Sequence, residues 1–431
     1  MNITHERISV YVISLGCPKN KVDTERLLGG LHPLIDIVSS PDEAEIVLIN
    51  TCGFIEPAVE ESVATILEVV NHVQELSPKP AITVTGCLVE RYGRELAKET
   101  PEVDLWLPIS RQHEWPELLG GVIPDKGNRI LSTPPGYAYL KIGEGCNYKC
   151  RFCTIPRIRG RLVSLTPEEV TQEARLLLNK GVRELVVVAQ DVTSYGRDLG
   201  LKHGLVHMLE KVLPLEGLEW LRLLYLYPSG IDSTLLSFLR DSGPPFLPYF
   251  DVPFQHAHSN VLKRMGRPFA VDNRKVVDSI RRHFPNAALR TTLITGYPGE
   301  GEDEFQCLVD FVRQTRFHNL GVFPFHAEEG TPAARMEDQV PIPVREERRR
   351  IIMELQSEIS RDHLAEVEGE EMDVLVDTVN PEWPGLFEGR VWFQAPEVDG
   401  VTYVSGEGIE PGEMVRARIE EAKTYDLVGL V

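Results

Sequence analysis

From residue 8 onward the chain alternates short apolar runs with longer segments of helical period. The runs at 8–15, 46–50 and 81–85 are rich in β-branched residues, and each is followed within two residues by a cysteine. Helical patterns follow at 20–31, 56–76 and 88–98. Repeated strand–helix units predict a parallel sheet, doubly wound, with its ligands placed just past the carboxyl ends of the strands. Residues 121–137, rich in Gly, Pro, Asp and Asn, read as a linker. Six further apolar runs lie at 138–142, 184–189, 220–224, 249–251, 288–294 and 321–325, with helical patterns between them. Thr166-Pro167-Glu168-Glu169 is a strong helix start: a threonine cap, a proline, then acids in the first turn. Six such units predict a partial (βα)6 barrel, whose chemistry belongs at the carboxyl ends of its strands. A charged helix over 343–367 has Ile351, Ile352, Leu355, Ile359 and Leu364 for a core face. The remainder carries short β-like runs at 372–376, 389–392, 401–404, 414–419 and 426–431. They predict a small five-stranded β-barrel of the oligonucleotide-binding type. The fold class expected is thus α/β with a terminal β-barrel, in three parts: 1–125, 132–365 and 366–431.

A chain of 431 residues exceeds one ordinary core, and 42% hydrophobic with 26% charged residues is a globular composition. No run of about 18 apolar residues exists, so no membrane helix is expected. The opening MNITHERISV lacks a basic stretch followed by an apolar one, so the expectation is a cytoplasmic protein. Seven cysteines then read as metal or catalytic ligands, not as a disulfide framework. The net charge of −20 disfavours direct nucleic-acid binding. Residues 366–431 hold 16 Asp or Glu against 4 Arg or Lys, more than half of that net charge. So acidic a surface repels phosphate and attracts a basic protein.

The densest chemistry is Cys146-Asn147-Tyr148-Lys149-Cys150-Arg151-Phe152-Cys153, a C-x3-C-x2-C motif just after the first barrel run. Three thiolates suit iron–sulfur or zinc. Structural zinc sites are closed by a fourth ligand, usually from a second pair, and no second pair sits nearby. A [4Fe–4S] cubane held by three cysteines leaves one iron open to a small molecule. The motif resembles the cluster loop of the radical S-adenosylmethionine (SAM) enzymes. That resemblance implies a [4Fe–4S] cluster on Cys146, Cys150 and Cys153, with SAM on the open iron. SAM is then cleaved to a 5′-deoxyadenosyl radical. Phe152 resembles the family position whose backbone meets adenine. Gln190, Arg290, Gly296 and Glu300 fall at the same predicted rim and are the further candidates for SAM or substrate contacts. For Gly296 and Gly299, turn chemistry is the competing explanation. His256 reads equally as a ligand, an acid–base group or a structural hydrogen-bonder. Cys307, inside a helical pattern, reads as a buried apolar residue. No side chain stands out as a catalytic acid, base or nucleophile.

Cys17, Cys52 and Cys87 are spaced evenly, 35 residues apart in both intervals. Three loops at one sheet edge can converge three thiolates, although a lone cysteine after a strand is often merely buried. Ser14-Leu15-Gly16-Cys17-Pro18-Lys19-Asn20, Asn50-Thr51-Cys52-Gly53 and Thr85-Gly86-Cys87-Leu88 resemble the N-terminal domain of the methylthiotransferases. The terminal β-barrel resembles the TRAM domain. The resemblance covers nearly the whole chain, and Gly16-Cys17-Pro18-Lys19-Asn20 with Ala395-Pro396-Glu397-Val398-Asp399-Gly400 resembles the RimO branch. It implies a second, auxiliary [4Fe–4S] cluster on Cys17, Cys52 and Cys87. It implies SAM used both as methyl donor and as radical source. The implied substrate is an aspartate of the small-subunit ribosomal protein S-twelve, methylthiolated at its β-carbon. The implied partners include an external one-electron reductant and a source of sulfur. The alternative within the family is methylthiolation of a tRNA adenosine.

Overall fold

The computed structural model describes residues 7–119, 128–267 and 272–431. As far as residue 127, the expected linker lies outside them. The described residues form two compact units. One holds the chain up to Ser132 with 144–147 and 154–161; the other holds 133–143, 148–153 and everything from Leu162 on.

In the first unit, β1 (Ile8–Ser14), β2 (Ile35–Ile37), β3 (Ile46–Thr51), β4 (Ala81–Gly86) and β5 (Leu105–Pro108) form one sheet in the order β2-β1-β3-β4-β5. All its pairings are parallel. Every residue of β3 is buried, as expected of a central strand covered on both faces. Side chains alternate across a strand, and the two faces divide accordingly. Val47 and Ile49 pack with Ile66, Val70 and Val73 of the helix Glu56–Val73. Leu48 packs on the other side with Leu27, Leu31 and Trp115. The short β2 and β5 carry no sequence pattern of their own and are held as edges by β1 and β4.

In the second unit, β6 (Tyr137–Lys141) begins a six-stranded parallel sheet. Two short strands, β7 (Gly143–Glu144) and β8 (Val163–Ser164), come next in the chain. The sheet continues with β9 (Glu184–Val188), β10 (Trp220–Leu223), β11 (Phe246–Asp251), β12 (Ala288–Thr295) and β13 (Asn319–Pro324), in the order β13-β12-β11-β10-β9-β6. This is the partial barrel expected. β11 starts earlier than its sequence suggests, because Pro248 argues against an interior strand. The structure accommodates it where the β10–β11 register shifts, between the pairs Leu221–Phe246 and Leu223–Phe250. Thr166 accepts from the Glu169 amide at 3.2 Å while Glu169 accepts from the Thr166 amide at 2.8 Å, a complete capping box. The helix Ile342–Ala365 leads to a closed barrel of β14 (Glu371–Val379), β15 (Leu386–Arg390), β16 (Thr402–Ser405), β17 (Met414–Ala422) and β18 (Leu427–Leu430). Among the described residues no helix is long and apolar enough to cross a membrane.

One difference from expectation matters for the site. The run 389–392 was expected to be strand throughout, but β15 ends at Arg390 and the chain leaves as a loop. That loop closes the amino end of the six-stranded barrel. Arg390 bonds Glu184 and Asp377, each at 2.6 Å, and lies over the Tyr137 ring. Glu184 also accepts from Arg222 at 2.7 Å, and Arg222 donates to the Trp392 carbonyl at 2.8 Å. Glu397 accepts from the hydroxyls of Tyr137 and Tyr139 at 3.1 and 3.2 Å. Asp399 accepts from Tyr249 at 2.6 Å and Arg290 at 3.2 Å. Acids counted above as surface charge, Asp377 and Asp399, are therefore committed to Arg390 and Arg290.

Candidate functional site

The first unit carries three of the cysteines at strand-to-helix junctions. Cys17 precedes the helix Pro18–Leu31, Cys52 follows β3, and Cys87 opens the helix Cys87–Glu99. Asn20 ties the three loops together. Its amide donates to Leu15 O at 3.1 Å and Thr51 O at 2.9 Å, and its oxygen lies 3.6 Å from Cys87 Sγ. Ser62 donates to Cys52 O at 2.8 Å and accepts from the Cys52 amide at 3.1 Å. Asn50 braces the first helix through Asn20 O and Thr24 Oγ1. Gly16 has φ +91°, and a Cβ there would stand 3.1 Å from Cys52 Sγ. Gly86 has φ +103°, and its Cβ would meet Thr51 O at 2.3 Å. Both glycines are required by left-handed backbone and by the close approach of neighbouring loops.

The thiols feel one another and Arg159. Burial pushes Cys87 up to about 11 despite Arg159 beside it. Cys52 is raised by burial against the pull of the Phe54 and Gly53 amides. Burial alone would raise Cys17 too, but Lys19, the Asn20 amide, Arg159 and the Lys19 amide together bring it below its ordinary value. Arg159 is 7% exposed. It donates to Cys87 Sγ at 3.3 Å, to Asp23 at 2.6 Å, to Glu144 at 2.9 Å, and to Asn20. Sequence reasoning missed Arg159. Its only signal was an arginine-rich stretch, Arg157-Ile158-Arg159-Gly160-Arg161, after the second cysteine motif.

In the second unit, Cys150 and Cys153 share a tight turn, with the Cys153 amide on Cys150 O at 3.1 Å. Cys146 belongs to the first unit, its amide on Gly160 O at 3.1 Å. Burial raises the Cys150 thiol, while hydrogen bonds from Arg267 and Tyr227 work against it. The Tyr227 ring stacks on Tyr148, with centroids 3.9 Å apart, and Arg267 lies over its other side at 4.2 Å. Neither Tyr227 nor Arg267 follows from the motif. Phe152 packs edge-on to Tyr297 in an apolar cluster with Met265 and Phe325. Gln190 stands just past β9, half-buried.

The other rim candidates have partners of their own. Gly296 and Gly299 have φ +69° and +79°, and added Cβ atoms would meet Arg345 at 2.2 Å and Arg264 at 2.3 Å. Turn conformation and arginine packing account for both glycines. Glu300, 4% exposed, accepts from the Gly296 amide at 2.9 Å and from Arg348 at 2.9 Å. Fully buried His256 stands 3.3 Å from it. His256 Nδ1 accepts from the His258 amide at 3.0 Å, which leaves Nε2 to carry the proton toward Glu300. Glu300 and His256 thus organise the turn. Arg290 points to Asp251 and Asp399. Cys307, expected to be buried, is half-exposed on its helix.

Among the described residues no three His, Cys, Asp or Glu side chains make a ready group for a single ion. A cubane asks for something else, since each of its thiolates binds a different iron. A thiolate-ligated cluster is anionic, and the first-unit thiols lie under the cations Arg159 and Lys19. Near Cys150, Arg267 lies over the Tyr227 ring that stacks on Tyr148. Such hydrogen bonds and charges are the surroundings an iron–sulfur cluster needs.

Three family models match the chain: the uncharacterized protein family UPF0004 over residues 9–108, the Radical SAM superfamily over 140–312, and the TRAM domain over 369–431. The chain is 56% identical over 428 residues to the ribosomal protein uS12 methylthiotransferase RimO of Oleidesulfovibrio alaskensis, covering 98% of this chain and 100% of that one. It is 44% identical to the protein of the same name from Aquifex aeolicus, covering 98% and 97%. Among solved structures, the radical SAM methyltransferase TsrM of Kitasatospora setae, with cobalamin and a [4Fe–4S] cluster bound, matches with TM-score 0.57 at 14% identity. It covers 89% of this chain and 81% of that one, a likeness of fold.

Proposed function

We propose, from the premise that this chain belongs to the family of ribosomal protein uS12 methylthiotransferases, how its residues divide the work. The enzyme is a radical SAM methylthiotransferase acting on ribosomal protein uS12, with SAM and a [4Fe–4S] cluster as cofactors. Cys146, Cys150 and Cys153 hold that cluster. A second cluster is held by Cys17, Cys52 and Cys87. When bound, these groups supply one-electron cleavage of SAM and a site for the sulfur that becomes the methylthio group.

The chain's own part is positioning, charge compensation and exclusion of water. Asn20 and Ser62 fix the loops that carry Cys17, Cys52 and Cys87. Arg159 and Lys19 balance the thiolates there. Arg267 and Tyr227 do the same at Cys150. The backbone at Phe152, Gln190 and Gly296 offers the SAM contacts. The substrate group is the β-carbon of an aspartate of uS12, and a one-electron reductant and a sulfur source act from outside.

The observation that carries the second cluster is the gathering of three thiols around Arg159, which donates to Cys87 and whose charge acts on Cys17 and Cys52. Anaerobic reconstitution should give about eight irons per chain, four per cubane. Replacing Cys17, Cys52 and Cys87 together by alanine should halve the iron, keep SAM cleavage to 5′-deoxyadenosine, and abolish methylthiolation of uS12 as read by mass spectrometry. Methylthiolation at the parent rate in that variant would refute the second cluster.

A further inference from the structure

The cluster loop of the second unit is reached by a continuous set of contacts that starts in the terminal domain. Asp399 lies on the loop after β15, and its carboxylate has no exposed surface. It accepts from Arg290 Nε at 3.2 Å, and Arg290 donates onward to Asp251 Oδ1 at 2.9 Å. Burial works against the Arg290 charge, but Asp251, Tyr249 and Asp399 outweigh it and hold the guanidinium firmly charged. The other Asp251 oxygen accepts from the Tyr225 amide at 2.9 Å. Tyr225 has φ +58°, the left-handed region a tyrosine seldom adopts. Asp251 also accepts, through its carbonyl, from the Leu226 amide at 2.9 Å. Two residues beyond Tyr225 is Tyr227, whose ring stacks on Tyr148, two residues before Cys150, with centroids 3.9 Å apart. Two residues beyond Asp251 is Pro253, whose carbonyl accepts from Arg267 at 2.9 Å. The Arg267 guanidinium lies over the same Tyr227 ring at 4.2 Å.

We infer that Asp399, Arg290 and Asp251 are positioning residues for the cluster loop: through them the terminal domain's loop fixes the turn at Tyr225 and sets the Tyr227 ring against Tyr148 of the loop that carries Cys150. The strained turn is the sign of this constraint, because an unusual backbone conformation persists only where its surroundings enforce it. Neither end of the path acts on the substrate chemistry directly. Its effect is on the placement of the loop that carries a thiolate ligand, and the hydrogen bonds and solvent exposure around ligating sulfur set a cluster's reduction potential. The inference rests on the reading of Cys150 as a cluster ligand.

The test uses the full chain in which Cys17, Cys52 and Cys87 are alanine, so that one cluster is titrated alone. If this parent fails to hold about four irons, the ligand reading fails, and the positioning claim falls with it. With iron retained, Asp399→Asn should shift the reduction potential, read by redox titration of the electron paramagnetic resonance signal. Uncoupled SAM cleavage should slow roughly five- to tenfold, the scale of one lost hydrogen bond. Tyr227→Leu, which removes the stacked ring, should shift the potential in the same direction, and adding Asp399→Asn to it should bring little more, since both act through the same stack. Should Asp399→Asn not fold, Tyr249→Phe removes a milder contact to the same carboxylate and should give a smaller shift in the same direction. A potential unchanged in a variant that keeps its iron overturns the inference, and so do fully additive shifts in the double variant.

Discussion

The two ends of the six-stranded barrel are built from opposite materials. At the carboxyl rim, backbone does the organising: glycines at 296 and 299, a buried Glu300 collecting amides, and cysteines in a tight turn. At the amino end, long side chains do it. Glu184, Arg222, Arg390, Asp377, Tyr249 and Asp399 form one buried polar network. The rim's loops carry the cysteines, whereas the floor packs the loop after β15 against the strand ends through long side chains. Buried ion pairs seldom add much net stability, but a broken one leaves an uncompensated charge in the core. The rim should therefore be sensitive in activity and the floor in folding.

The largest effect expected from that contrast is at Glu184, fully buried between Arg222 and Arg390. Glu184→Gln takes the carboxylate from Arg222 and leaves Arg390 with Asp377 alone. We expect a loss of about 3–5 kcal/mol in chemical denaturation. At the rim, Gly299→Ala should cost about 1 kcal/mol, because Arg264 is a flexible side chain half open to solvent and gives way. If Glu184→Gln is tolerated within about 1 kcal/mol, the floor is not the structural keystone described.

The same contrast explains what the sequence disclosed. The rim is written in local signals: a cysteine motif, strand-end glycines, a capping box, each within ten residues or so. Periods of two and 3.6 located the barrel strands to within a few residues. The floor joins residues far apart in the chain, such as Arg390 with Glu184 and Tyr249 with Asp399. No period marks such pairs, and an acid at 399 looks like any surface acid until the fold closes over it. Arg159 and Arg267 escaped for the same reason, since each meets its cysteine only in three dimensions. Arg290 and Glu300 were located correctly along the chain, but their charges serve the protein's own turns and strands.

A smaller effect concerns acid stability at the floor. His318 precedes β13, accepts from the Leu289 amide at 3.3 Å, and stacks on His363 with centroids 4.2 Å apart. Burial, with His363 and Arg281 nearby, pushes its pKa down from 6.5 to about 3. The folded chain thus keeps His318 neutral while the unfolded chain protonates below 6.5. Stability from this residue is intact above that pH and declines steadily as the pH falls toward 3. At pH 5 the loss is at most about 2 kcal/mol, and less to the extent that His318 opens onto a cavity of about 470 Å³. His318→Gln keeps an acceptor for Leu289 and should flatten the fall in stability between pH 7.5 and 5. Parallel curves for the two proteins would remove His318 from the account.

The smallest effect on folding is expected on the outer face of the terminal domain, where its acids meet water. Glu407 and Glu410 are exposed and Glu413 is half-exposed. They differ from Asp377 and Asp399 in having no buried arginine to answer. Neutralising all three to glutamine should change stability by no more than about 0.5 kcal/mol per site. Their charge nevertheless contributes to a strongly acidic region, and a basic ribosomal protein approaches such a surface faster than a neutral one. The triple variant should methylthiolate uS12 more slowly at low ionic strength, with the difference shrinking as salt screens the approach. Cleavage of SAM without substrate should stay at the parent rate, in contrast to Asp399→Asn, which acts through the floor. Rates would be measured across a salt series with uS12 and with unmodified tRNA offered separately. A variant that loses nothing on uS12 at any salt concentration would leave the outer acids with solubility as their only role.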